Sequence, residues 1–143
     1  MIRITSIRHC KISEYDDIYL IIRSVASLER SGSSVLQHAK QLADLSPSKE
    51  LFYSYLDWKK NNEWNQDKFN ECYKPTFINE LNANPNAAKW LNKIEENDKA
   101  GRKIALLCFC PDENLCHRII IGDILRSRGC NVVFDRDAEC GIK

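Results

Sequence analysis

"KIALLCFCPDENLCHRIIIGDILRSRGCNVVFD" (residues 103–135) decides the fold. From Ile104 to Phe109 the residues are apolar without interruption, over a length that suits a strand buried on both faces. A short polar loop follows. From about Asn114 to Arg128 the apolar residues recur at helical spacing, and Gly129 supplies a terminator. Residues 131–135 then read as another strand. Strand, loop, helix, strand in so short a span is a βαβ unit, with parallel strands and a right-handed crossover.

The rest of the chain fits around that unit. "IRITSIR" (2–8) alternates with period two through Ile2, Ile4 and Ser6 and reads as a strand. "IYLIIR" (18–23) is apolar through Ile22 and ends on Arg23, a second buried strand. A polar loop around Gly32 leads to an expected helix over about Val35 to Leu45. Ser46 is the expected cap of a helix with Pro47 at its first position, carrying Leu51, Tyr55, Phe52 and Leu56 in four-residue pairs. Phe69, Tyr73, Phe77 and Leu81 form a stripe that Pro75 interrupts, so a kink or two short helices are expected. Asn84 and Pro85 open a further helix with Ala87, Leu91 and Ile94 inward. The expected architecture is a single α/β domain: a small, mostly parallel sheet flanked by helices, with a helical middle segment.

Composition narrows the function. A chain of 143 residues, 43% hydrophobic, suits one core. A net charge of +1 removes any global electrostatic case for nucleic acid. No apolar run approaches the ~20 residues of a membrane span. The seven cysteines are odd in number, and Met1-Ile2-Arg3-Ile4 opens as a strand rather than a leader. A reducing cytoplasmic setting is therefore expected, with thiols rather than a disulfide framework.

The chemistry concentrates between strand and helix. In open α/β sheets ligands sit beyond the carboxyl ends of the strands, and a helix N-terminus with unpaired N–H groups favours an anion. Arg118 adds a planar fork for phosphate or carboxylate, and Arg23, at the end of the other buried strand, is expected on the same rim. Arg118 is placed on a polar face with Gly122 and Arg126. The ligand class is an anionic small molecule, with a nucleotide as one form. Cys116, in the first helical turn beside Arg118 and His117, is the candidate nucleophile, its thiol acidified by those neighbours. His117 is the candidate proton carrier, and Asp112 and Glu113 are candidate orienting groups, acids or bases. Cys108 and Cys110 share one face of the strand end, and Tyr73 alone of its stripe has a hydroxyl that reaches toward the rim. No resident cofactor is expected.

Two other readings stay open. Cys108, Cys110, Cys116 and His117 have the count of a tetrahedral zinc site, but C-x-C-x5-C-H is not the usual knuckle spacing, and adjacent Cys116 and His117 are expected to point apart. Lys59, Lys60, Lys68 and Lys74, interleaved with Trp64 and Tyr73, offer a patch for a nucleic-acid-associated module, against the plainer reading of a solvated helical face. A phosphatase loop of the form C-x5-R does not fit: Cys110 is two residues too far from Arg118, and Cys116 is too close.

"LLCFCPDENLCHRIIIGDIL" resembles the signature of the domain of unknown function 488 family, a Leu-Leu-Cys run followed eight residues later by Cys-His-Arg opening a helix. Cys108, Cys116, His117 and Arg118 fall on the matching positions. "LSPSKELFYSYLDWKKNNEWNQDKFNECYKPTFINEL" (45–81) resembles one branch of that family, and Arg23 matches an arginine that ends its second strand. The resemblance spans roughly residues 1–135. It implies an α/β fold with a rim site, and no particular reaction. Cys110 stands where many members carry an acidic residue, and Ile21-Ile22-Arg23 stands for their Asp-x-Arg, so Asp112 or Glu113 would have to serve as base here.

Overall fold

The computed structural model describes residues 1–32, 34–109 and 114–135. Five strands form one all-parallel sheet: β1 (Ile2–Ser6), β2 (Asp17–Leu20), β3 (Lys40–Gln41), β4 (Ile104–Cys108) and β5 (Val132–Phe134), in the spatial order β3-β2-β4-β1-β5. The apolar run of β4 is central and every residue of it is buried. It pairs with β1 in the register Ile4 to Leu106 and with β2 in the register Tyr19 to Leu106. The helices are α1 (Ala26–Ser31), α2 (Lys49–Lys60), α3 (Gln66–Lys68), α4 (Lys74–Asn82), α5 (Pro85–Lys99) and α6 (His117–Ser127). They bear out the α/β expectation.

Chain order locates the crevice. The connection after β2 leads outward to β3 at one edge, whereas that after β4 crosses β1 to reach β5 at the other. The strand ends part between β2 and β4, the topological switch point at which such sheets leave a hollow. The carbonyls at the end of β2 are all taken up. Leu42 N donates to Leu20 O at 2.8 Å. The Gln41 side-chain amide donates to Ile22 O at 3.1 Å and Arg23 O at 2.8 Å. Ile21 O, between them, accepts from His117 Nε2 at 2.6 Å.

Several local expectations are corrected. The span 35–45 is not a helix: 3-10 turns at Ser34–Gln37 and Ala43–Leu45 flank the edge strand β3, whose ladder with β2 prevails over a modest helical pattern. The cap of α2 is Ser48, not Ser46. Proline holds the preceding Ser46 extended, and Ser48 Oγ accepts from Leu51 N at 3.1 Å while also bonding Glu80. Of the four-residue pairs on α2, Leu51 is buried, whereas Phe52 and Leu56 are exposed.

Pro75 does not break its helix. Residues Phe69–Tyr73 form a π turn between α3 and α4, with Lys74 N reaching back to Phe69 O. Thr76 Oγ1 donates to Cys72 O at 2.8 Å. A strict four-residue stripe overruns an α-helical turn by about 40° per step, and one wider turn takes part of that drift back. Phe69, Tyr73, Phe77 and Leu81 are accordingly all buried.

Helix α6 packs unusually close to the sheet at Gly122, where an added Cβ would lie 2.4 Å from Phe134 Cε1 and 3.1 Å from Ile4 Cγ1. Phe134 is 1% exposed and has little room to retreat. Gly122→Ala should therefore cost about 1–3 kcal/mol of stability through overpacking, read as a lower urea midpoint at unchanged slope. An unchanged midpoint would show that the helix can lift at no cost.

Candidate functional site

A cleft of about 590 Å³ opens at the β2/β4 switch point. Cys108, the last residue of β4, and Cys116 and His117, at the start of α6, form its inner end. Arg23, just past β2, lies on its wall with Arg30 and Lys49. Phe52, Tyr53 and Tyr55 of α2, Tyr73 of the π turn and Phe109 make the remaining walls largely aromatic. Phe52, Tyr53 and Phe109 are exposed at 45%, 61% and 40%, a cluster of large apolar side chains turned to solvent around one opening.

The inner end is a chain of polar contacts. Cys116 is the N-cap of α6 in extended conformation, φ −131° and ψ 148°. That conformation brings its sulfur beside the next residue: Cys116 Sγ lies 3.6 Å from His117 Nδ1 and 3.1 Å from Cys108 Sγ. Arg118 Nη1 donates to Cys108 Sγ at 3.5 Å. Because a carbonyl only accepts, the bond to Ile21 O puts the imidazole proton on Nε2 and leaves Nδ1 as acceptor toward Cys116. Phe77 meets the His117 ring edge-on, centroids 5.8 Å apart. Although His117 keeps some accessible surface, its ring is enclosed. Burial lowers its pKa to about 4, the Ile21 carbonyl pulls the other way, and the Arg118 charge adds to the lowering. The imidazole is neutral at pH 7, so His117 does not acidify the Cys116 thiol through its charge.

The DUF488-N3a family, described as the active DUF488-N3 subclade, matches residues 2–129, from β1 through the end of α6. The chain belongs to that family. Neither the curated proteins nor the solved structures give a match.

In this DUF488-N3a chain, five of the residues singled out by sequence meet at the cleft: Arg23, Tyr73, Cys108, Cys116 and His117. Arg23 Nε donates to Pro47 O at 2.9 Å, and no carboxylate among the described residues lies within ion-pair range of it. Arg118 is elsewhere than expected. It is 2% exposed, not on a polar face, and Gly122 is buried with it. Its place is under the cleft floor, against Cys108. Cys110, Asp112 and Glu113 lie outside the described residues.

The geometry also bears on the other readings. Cys116 and His117 do not point apart, because Cys116 is extended rather than helical. Cys108, Cys116 and His117 lie within 4.8 Å of one another, three of the four donors weighed for zinc. Trp64 and Tyr73, the aromatics of the lysine-rich patch, are packed on each other at 5.4 Å with Tyr55 and Phe69 around them. Lys59 and Lys68 lie over Tyr55 and Trp58. Among the described residues no helix is long and apolar enough to cross a membrane.

Sequence reasoning missed Arg30, Lys49, Tyr53 and Phe109. Phe52 and Tyr53 stand about 100° apart on α2, so with the buried Leu51 they spread apolar surface over more than one face of the helix.

The His117 ring makes stability depend on pH. An unfolded histidine titrates near 6.5 and the folded one near 4, so between those values the unfolded chain binds the extra proton. The folded state is fully favoured above about pH 6.5 and loses up to about 3 kcal/mol as pH falls to 4. His117→Gln, which keeps a donor for Ile21 O, should lose this component. In urea titrations the variant should gain on the parent as pH drops through that window, and parallel curves would show that the imidazole is not desolvated.

Proposed function

We propose that the cleft binds an anionic small molecule carrying a flat apolar group, a nucleotide being the class that fits, and that Cys116 and His117 are the reactive pair acting on it. The observation that carries this reading is the convergence, on one cleft of about 590 Å³, of a thiol–imidazole pair, aromatic walls and the cations Arg23, Arg30 and Lys49. That size suits a small-molecule pocket. The aromatic walls supply faces on which a base stacks. The three cations supply an anion subsite at the mouth, Arg23 with the fork geometry that matches phosphate. The description of the family as active supports a catalytic reading.

In this reading Cys116 is the nucleophile and His117 Nδ1 the acceptor of its proton, while Nε2–H stays on the Ile21 carbonyl and holds the ring in place. A base so weakly basic does not maintain a standing thiolate–imidazolium pair, so the thiol keeps its proton until it reacts. Arg118 acts from below: its guanidinium favours negative charge on Cys108, whose sulfur lies 3.1 Å from that of Cys116. The two arginines then have different anions, Arg23 the ligand's and Arg118 the protein's own.

Thermal shift and calorimetric titration with a nucleoside monophosphate, the matching nucleoside and inorganic phosphate test the binding claim. The monophosphate should stabilise the protein more than either part. Arg23→Ala, at an exposed position, should weaken that binding at least about tenfold, the worth of one charged hydrogen bond, with little change in the melting point of the free protein. A parent protein that responds to none of the three would overturn the anion assignment.

A further inference from the structure

We infer that Cys108 and Cys116 are a disulfide-forming pair, so that the floor of the cleft is a peroxide-responsive dithiol site. The inference uses the two sulfurs and does not require the anion assignment. One cysteine stands at the end of β4 and the other at the cap of α6, eight positions apart. Their sulfurs are 3.1 Å apart, so closing to a disulfide bond needs an approach of only about 1 Å. Both residues line the cleft, which gives a small oxidant a path to them, yet both are at most 2% exposed, which shields them from larger thiols.

The surroundings single out this pair. A permanent cation, Arg118, donates to the Cys108 sulfur. It favours loss of that thiol's proton, and the thiolate is the species that reacts with peroxides. The other described thiols lie on other elements, and two of them have the opposite setting. Burial, with Glu14 adding, pushes the Cys10 thiol up. Burial, with Asp98 and Glu95 adding, does the same for Cys130.

The chemistry balances with a hydroperoxide as the named oxidant. One sulfur of the pair attacks the peroxide oxygen, the O–O bond breaks, and the alkoxide or hydroxide leaves with a proton as alcohol or water. That sulfur is now a sulfenic acid. The second sulfur attacks it, the S–O bond breaks, and hydroxide leaves as water with the second thiol proton. Two thiols are oxidised to one disulfide, and one peroxide is reduced. Two equivalents of a small thiol reverse the change through a mixed disulfide. The disulfide removes Cys116 as a nucleophile while it lasts. It also diverts the sulfenic acid from irreversible oxidation.

Mapping the disulfide in the full chain tests this. No Lys or Arg falls between Lys103 and Arg118, so trypsin alone leaves Cys108, Cys110 and Cys116 on one peptide, and a second cleavage after Glu113 is required. After one equivalent of hydrogen peroxide and alkylation of the remaining thiols, the peptide ending at Glu113 should be joined to the one beginning at Asn114. Cys110 should carry the alkyl group, and Cys110→Ser should still form the link. Cys108→Ser and Cys116→Ser should each leave a sulfenic acid on the surviving partner, trapped by a dione probe. A link from Cys116 to Cys110 or to any other cysteine would overturn the proposal. So would overoxidised Cys116 beside an intact Cys108 thiol, or stoichiometric zinc that protects both thiols. Because the mapping is done on the unaltered protein, it decides the matter even if a variant fails to fold.

Discussion

In a parallel sheet the carbonyls at the end of each strand must find donors beyond the ladder, and at the end of β2 one of those donors is an imidazole. The Ile21 carbonyl takes the proton of His117 Nε2 at 2.6 Å, tying the exit of one strand to the entry of the helix that follows its neighbour. The bond fixes the tautomer and turns Nδ1 toward Cys116. It also bridges the switch point where the chain parts toward opposite edges of the sheet. Cleft, tautomer and thiol placement all follow from where β2 ends relative to β4, which is set by the pairing of Ile21 N with Leu107 O at 3.0 Å.

Charge is divided by depth. Arg118 is buried at the side of a sulfur, where a low local dielectric strengthens its influence. Arg23, Arg30 and Lys49 are exposed at the mouth, where their attraction for a ligand is softened by water and salt. Asp135, also buried among the described residues, has no part in the cleft. It accepts from Arg3 Nε and Nη2 at 3.1 and 2.9 Å and from Thr5 Oγ1 at 2.9 Å, locking β5 to β1.

The parallel βαβ core was legible because an unbroken apolar run and a helical repeat are separate physical signals, and 103–135 carries both. The meeting of Arg23, Cys108, Cys116 and His117 at one cleft was legible because strand ends and helix starts are where the fold puts open backbone groups. Arg118 was misread because periodicity scores glycine as neutral, so a face containing Gly122 looked solvated when it is the line of closest approach to Phe134 and Ile4. The span 35–45 was misread because β3 exists only through its partner β2, a pairing that no local pattern encodes. Likewise, the convergence of Cys116 and His117 depends on one extended cap residue, and spacing alone assigns both to a helix.

Gly122 stands one turn beyond Arg118 on the same side of α6. By letting the helix axis settle against β1 and β5, it carries the neighbouring turn inward as well, guanidinium included. How deeply a charge is submerged here is thus governed by the missing side chain of another residue. The electrostatic setting of the thiols is coupled, through the rigid body of a helix, to a steric vacancy that touches neither sulfur.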